Sequence, residues 1–202
     1  MLRFFTGEDL ADYMAAGDPL AQYLGRVDSV GERWLRESPA KRMIAWELYE
    51  GLLTSSGRWI LDVGACHTSL QHELADRHSY TDCDLGEHDG FRSGSLDWRD
   101  LPTRPYDVIV ANDVFPNVDQ GLQAFLTRFY GSGELRMSLT IYADKFYRAR
   151  RVDGEELLTV QAWDWPQTRR VLVDRGIRIG EAQHAPARSL FRNGRQVALL
   201  TC

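Results

Sequence analysis

Three things are scarce in this 202-residue chain, and each scarcity excludes something. No apolar run approaches the ~20 residues of a membrane-spanning helix, so no membrane-spanning segment is expected. The opening "MLRFFTGEDLADYM" lacks an apolar core set between basic residues and a small-residue cleavage site, so no export signal is expected. Cysteine occurs three times, at Cys66, Cys83 and Cys202, without CxxC spacing. An odd, scattered set reads as reduced thiols, not as a disulfide framework or a zinc site, and a cytoplasmic location is the expectation. Basic residues are not in excess either: the formal net charge is −5. That disfavours a generic binder of nucleic acid, which wants a basic surface. What is present, 44% hydrophobic and 26% charged residues, is enough for one domain with an elaboration to bury a core.

The chain shows no internal repeat and no low-complexity linker, and its first part, to about Ser56, reads as helical. Thr6 with Asp9 approximates a capping box before "LADYMAA". Ser38-Pro39 pairs a cap residue with proline at the first helical position. The run "AKRMIAWELYEGLL" then places Ile44, Leu48 and Leu52 along one side at helical spacing, and Gly57 ends it. From there strand and helix patterns alternate. "RWILDVGA", "SYTDCDL", "YDVIVAND" and "ELRMSLTIY" read as strands; "SLQHELADR", "DQGLQAFLTRFY" and "WPQTRRVLVDRG" read as helices. Alternation of this kind predicts a parallel sheet covered on both faces. Near the end, "IRIGEAQHA" and "RQVALLTC" flank "FRNGR", whose Asn-Gly predicts an antiparallel hairpin.

Glycine is thin where the pattern most wants it. "RWILDVGACHTSLQHEL", Arg58 to Leu74, is a strand, a small-residue turn and a helix. A dinucleotide loop requires G-x-G-x-x-G so that pyrophosphate can approach the backbone. Here Gly64 stands alone, and the other two positions read Cys66 and Ser69. The loop therefore fits a ligand without phosphate better than it fits a dinucleotide.

In order and spacing, four stretches resemble the class I S-adenosylmethionine-dependent methyltransferases, over Arg58 to Cys202: "LDVGACHTSL", "YTDCDLG", "SLDWRDLP" and "YDVIVANDVFPNVD". The resemblance implies an α/β, Rossmann-like seven-stranded sheet, mostly parallel with a C-terminal antiparallel hairpin, helices on both faces and extra N-terminal helices. It divides the chain into an N-terminal helical lid or extension, 1–56, and a donor-binding domain, 57–202. It also implies S-adenosyl-L-methionine as cofactor and a small-molecule acceptor as partner, with no membrane and no nucleic acid.

Residue by residue, Gly64, Ala65 and Cys66 fall on the donor loop, and Asp62 either orients the donor's amino group or caps the turn into the helix. Asp84, about 20 residues past Gly64, lies where a carboxylate reaches ribose hydroxyls; Asp82 competes for that role. Asp97 is placed to meet the adenine amino group, with Asp100 as its rival, and Leu85, Leu96 and Trp98 supply an apolar slot. Asn112 and Asp113 end the strand that faces donor and acceptor, and Asp113 is the candidate base, with Asn117 and Asp119 as alternatives. The absence of an Asn/Asp-Pro-Pro-aromatic signature there counts against nucleobase and glutamine-amide methylation.

The stretch after the fifth strand mixes aromatic plates with cations: Tyr142, Lys145, Tyr147, Arg148, Arg150, Arg151, Trp163, Asp164 and Trp165. It reads as acceptor-site wall, suited to a sugar or another polyhydroxylated molecule, or as a solvated basic face. The N-terminal Trp34, Arg36, Lys41, Arg42 and Trp46 belong to a lid or to an edge cover. Two rival functions stay open: a silent methyltransferase-like binding protein, and an enzyme reading RNA through Arg148, Arg150 and Arg151. The silent reading expects Cys66 and His67 to project into the cleft; the enzyme reading expects them to point away.

Overall fold

A computed structural model describes residues 1–84, 97–102, 104–115, 121–142, 146–150, 157–161, 163–180, 182 and 184–202, with backbone alone for 146–150 and 157–161. The elements in order are β1 (Leu2–Phe4), α1 (Gly7–Ala15), a short 3-10 turn, α2 (Val30–Glu37), α3 (Pro39–Leu53), β2 (Trp59–Val63), α4 (Ser69–Arg77) and β3 (Ser79–Cys83). Then come β4 (Val108–Phe115), α5 (Leu122–Phe129), β5 (Glu134–Ile141), β6 (Phe146–Arg150), β7 (Leu157–Gln161), α6 (Trp165–Asp174) and β8 (Gln196–Thr201). The main sheet runs β1-β8-β5-β4-β2-β3, with β3, β2, β4 and β5 parallel and β8 antiparallel to both its neighbours.

Alternation along the strands sorts the core into two layers. Ile60, Val108, Val110, Val197 and Leu199 face the cluster of α3 and α4, where Ile44, Leu48 and Leu52 supply the helical side read from the sequence. Leu61, Val63, Ile109, Ala111, Ala198 and Leu200 face α5 and α6 through Phe125, Phe129 and Leu172. Helices α1 and α3 start where the caps predict, and α6 has a cap, Asp164, that the sequence reading did not assign. Asp9 N–H donates to Thr6 Oγ1 at 3.3 Å, Lys41 N–H to Ser38 Oγ at 3.3 Å and Gln167 N–H to Asp164 Oδ1 at 2.9 Å. Each such cap contributes about 1 kcal/mol.

The expected seven strands and C-terminal hairpin are corrected: six strands form the main sheet among the described residues, and β8 is not in a hairpin. Both edges of β8 are taken, by β5 and by β1, where Leu2 pairs with Leu200 and Phe4 with Ala198. No partner edge remains for "IRIGEAQHA", whose described residues form turns and loop. Asn193-Gly194 is still a turn, with Gly194 at φ 82° and its N–H donating to Phe191 O at 3.1 Å, but it leads into the strand without a paired arm. Leu2–Phe4 is thus a strand inside a segment that reads as helical.

Candidate functional site

The parallel strands β2, β3 and β4 all end on one side of the sheet, and the segments that leave them surround a cavity of about 240 Å³. Open α/β sheets bind ligands at such carboxyl ends. The first wall is the β2–α4 turn, Gly64 to Thr68. Gly64 has φ 74°, and a Cβ there would stand 2.1 Å from Val114 Cγ2. Its glycine is therefore demanded by close approach to β4 as well as by the left-handed turn. Cys66 also takes a left-handed conformation, φ 50°, which a non-glycine residue holds only when its surroundings over-determine it. Here its N–H donates to Asp84 Oδ2 at 2.9 Å, tying the turn to the end of β3.

The N-terminal helices close this turn from outside. Glu32 of α2 is fully buried, accepting from Ser69 N–H at 2.9 Å and Ser69 Oγ at 2.7 Å. A carboxylate at the start of α4 satisfies the amide donors and the positive end of the helix dipole. That is the position where a dinucleotide fold would seat pyrophosphate. Glu32 occupies it with negative charge, a stronger objection to a dinucleotide than the missing glycines. Gly31 is required by the same packing, since a Cβ there would meet Cys66 Cβ at 2.9 Å.

Three carboxylates gather at the β2–β3 end. Asp62 and Asp82 are register partners, and Asp84 follows. Asp62 is buried and receives the hydroxyls of Tyr49, at 2.9 and 3.0 Å, and Tyr80, at 2.8 Å. Burial pushes its carboxyl up to about 7, with the Asp82 and Asp84 charges adding to the rise and the two hydroxyls opposing it. The capping alternative for Asp62 is overturned: α4 starts at Thr68, whose N–H donates to Gln71 Oε1 at 3.1 Å. Asp82 is drawn away by Gln71, which donates to it at 2.9 Å, whereas Asp84 lines the cavity. Asp97 and Trp98 also line it. The Asp97 carboxylate accepts from Arg99 N–H at 2.9 Å and Arg99 Nη1 at 2.8 Å, so it is held in a turn while bordering the cavity. Trp98 packs edge-on against Phe115, Phe125 and Phe129, and its Nε1 is buried with no partner among the described residues.

The β4 end is shaped by a break in pairing. The β4–β5 register shifts between Asn112 and Phe115, and Asp113 takes φ 57°. A bulge re-aims a side chain, and here Asp113 is brought into the cavity wall beside Asn112. Ser138 Oγ donates to Asn112 Oδ1 at 2.9 Å, and Asp113 N–H donates to Ser138 Oγ at 2.8 Å. Thr140 Oγ1 donates to Asp113 Oδ1 at 2.5 Å, and Arg195 Nη1 pairs with Asp113 Oδ2 at 3.0 Å.

Thus Asp62, Gly64, Ala65, Cys66, Asp84, Asp97, Trp98, Asn112 and Asp113, scattered in sequence, border one cavity. The outcome for the loop is split. Cys66 lines the cavity, its thiol pushed up to about 12 chiefly by burial, while His67 is not among the lining residues and lies 6.0 Å from the His72 ring. The described aromatic residues of the expected acceptor wall do not line the cavity. Trp163 packs against the α5–α6 core and Asp164 caps α6. Tyr142 is outside the cavity lining, though its hydroxyl bonds to Arg195. Tyr147, Arg148 and Arg150 lie on β6, where only the backbone is described; Leu85, Leu96, Asn117, Asp119, Lys145 and Arg151 lie outside the described residues. The sequence reading missed Arg195, Tyr49 and Thr140, and it put Lys41 and Trp34 in a lid without a role. Only tyrosine at 49, on the apolar side of α3, carried a signal, a hydroxyl that needs a buried partner.

No family model matches the sequence, and no curated protein matches it. Solved structures do. Burkholderia thailandensis 1,6-didemethyltoxoflavin-N1-methyltransferase, with 1,6-didemethyltoxoflavin and S-adenosylhomocysteine bound, is 14% identical, with 98% of this chain and 90% of that one covered at TM-score 0.54. DhpI in complex with S-adenosylhomocysteine is 16% identical, covering 95% and 93% at TM-score 0.50. A Clostridium acetobutylicum S-adenosylmethionine-dependent methyltransferase is 12% identical, covering 95% and 97% at TM-score 0.50. At such identities the likeness is one of fold, and the fold of this chain is that of the class I S-adenosylmethionine-dependent methyltransferases.

Proposed function

We propose that the chain is a methyltransferase that takes S-adenosylmethionine as donor and a small polar acceptor, with a sugar or sugar-nucleotide hydroxyl or amine as the first candidate. One observation carries the reading: carboxylates and apolar walls converge at the switch between β2 and β4, where they match the chemistry of an adenosyl group. Asp84 suits the paired ribose hydroxyls, Asp97 the adenine amino group, and Val63, Cys83, Leu70 and Trp98 the apolar faces. Asp62, held by Tyr49 and Tyr80, would present its carboxyl toward the donor's ammonium. When bound, S-adenosylmethionine supplies an electrophilic methyl group on a sulfonium. The chain's own part is to hold, orient and keep dry. Asp113, fixed by Thr140 and Arg195, and Asn112, fixed by Ser138, would orient the acceptor's proton-bearing atom, with Asp113 the candidate base. Trp34 and Lys41 of the N-terminal helices also line the cavity, a placement that suits a lid.

Titration calorimetry with S-adenosylhomocysteine and S-adenosylmethionine tests the donor. Micromolar binding that Asp84→Ala weakens supports it; no binding at millimolar concentration overturns it. A silent binding protein is the second reading, favoured by Cys66 on the cavity wall. It expects no donor binding in the native chain and a gain of binding in Cys66→Gly, which both opens the wall and relieves the left-handed backbone.

A further inference from the structure

Two cationic side chains on the cavity wall have no task in holding a nucleoside. Lys41, in the first turn of α3, places Nζ 4.4 Å over the Trp34 ring. Among the described residues no carboxylate forms an ion pair with it and no hydrogen bond reaches Nζ, so the ammonium is turned to the cavity it lines. Arg195, in the loop before β8, has a side chain only 11% exposed. Its guanidinium lies 4.1 Å from the Phe191 ring centroid, and its Nε is buried with no partner among the described residues.

Charge is unevenly shared along the cleft. At the β2–β3 end Asp62, Asp84 and Asp97 border the cavity; at the other end, among the described residues, Lys41 and Arg195 meet one lining carboxylate, Asp113. Lys41 feels both Asp113 and Arg195, so the three charges form one cluster. Among the described residues that line this end, Asp113 offsets one of the two cations and leaves the other in surplus. A half-buried cation without a counter-charge costs free energy, which a bound anion would recover. Burial depresses the Lys41 amine below the ordinary lysine range despite the nearby carboxylate, as expected of a cation short of compensation. The donor set is an ammonium whose protons no described residue takes up and a guanidinium anchored to Asp113 through Nη1, and two such cations side by side are the chemistry of a carboxylate or phosphate site. The aromatic faces of Trp34 and Phe191 hold the two cations in place without spending their donors.

We propose that Lys41 and Arg195 form an anion subsite for the methyl acceptor, so that the molecule methylated carries a carboxylate or phosphate group. This rests on reading the cleft as a methyltransferase site. The anion docks against the two cations and brings the rest of the acceptor alongside Asn112 and Asp113. A sugar nucleotide meets this requirement through its phosphates, and an unsubstituted sugar does not.

The test is calorimetric titration of malonate and of inorganic phosphate into protein saturated with S-adenosylhomocysteine. Millimolar binding is expected, weakened about tenfold or more in Lys41→Gln and in Arg195→Gln, while both variants keep the wild-type affinity for S-adenosylhomocysteine and a cooperative thermal transition. Lys41→Arg, which keeps the charge, retains anion binding. If the subsite instead serves the donor's own carboxylate, Lys41→Gln weakens S-adenosylhomocysteine and leaves 5′-methylthioadenosine, which lacks that group, unaffected. That result overturns the proposal, as does anion binding that is absent from the wild type or unchanged in Lys41→Gln. Failure of S-adenosylhomocysteine to bind the wild type overturns the donor reading alone. The same anion titration on ligand-free protein then supports the subsite if Lys41→Gln abolishes binding, and overturns it otherwise.

Discussion

The two ends of the cleft are built by different means. At the β2–β3 end, regular parallel strands run without a break into the sites of Asp62 and Asp84, and the carboxylates follow strand register. At the β4–β5 end, pairing shifts, Asp113 is left-handed, and the polar groups come from four distant places: Lys41, Asn112–Asp113, Thr140 and Arg195. The first end is local and repeats the pattern of its strands. The second is assembled by tertiary contact alone. On the proposed reading the donor occupies the former and the acceptor the latter.

Substitutions can break or sharpen that contrast. The largest effect is expected at Gly64, where φ 74° and the Val114 contact leave no room for a side chain. Gly64→Val is expected to cost about 2–4 kcal/mol of stability and to abolish binding of S-adenosylhomocysteine; chemical denaturation reads the first and calorimetry the second. A variant as stable as the wild type would show that the turn does not need its observed shape. Next is Asp84→Ala, which removes the Cys66 N–H partner and, on the proposed reading, the ribose acceptor. A loss of roughly 1.5–3 kcal/mol, seen as a 10- to 100-fold rise in the dissociation constant for S-adenosylhomocysteine, is expected, with little change in anion binding at the other end.

A third prediction concerns pH. The folded-state carboxyl of Asp62 is raised to about 7, above the ordinary ~3.9 of an unfolded chain. The folded state therefore holds the proton more tightly, and this stabilisation is fully present below about pH 4 and is lost as pH rises through about 7. Across that window Asp62 alone lowers stability by up to about 1 kcal/mol per pH unit. Urea denaturation between pH 4 and 8 is expected to show the wild type losing stability relative to Asp62→Asn, and parallel curves would contradict the burial argument. The smallest effect is expected from Thr140→Val, which removes one of the hydrogen bonds to Asp113. About 1 kcal/mol is at stake, read as a several-fold fall in kcat with donor affinity unchanged, once an acceptor is in hand. A change in donor affinity instead would mean that the two ends are coupled.

Much of the β2–β3 end is legible along the chain because Gly64 and Asp84 follow strand ends at short range, whereas Asp97 is read only from the resemblance of its segment. Helix starts at Thr6 and Ser38 are legible because a cap acts within three residues, while the cap at Asp164 goes unread in a stretch that reads as a binding wall. The hairpin failed because an Asn-Gly turn states a local preference, while the edges of β8 were contested by β5 and by β1, nearly two hundred residues away in sequence. Trp163 is open in the same way: an aromatic side chain in a polar stretch fits a binding wall or a core equally well, and the structure packs it, partly buried, against the α5–α6 face.

By itself the sequence determined the alternating α/β order, the capped starts of α1 and α3, the position of the β2–α4 turn and the lack of a phosphate-binding glycine run. These follow from periodicity and from interactions that reach a few residues. Only the tertiary structure decided that Glu32 seals the start of α4, that β1 completes the sheet, and that Lys41 and Arg195 stand together beside Asp113. Those outcomes depend on which distant surfaces meet when two apolar layers close over the sheet, and a charge acquires its meaning there only from what is buried beside it.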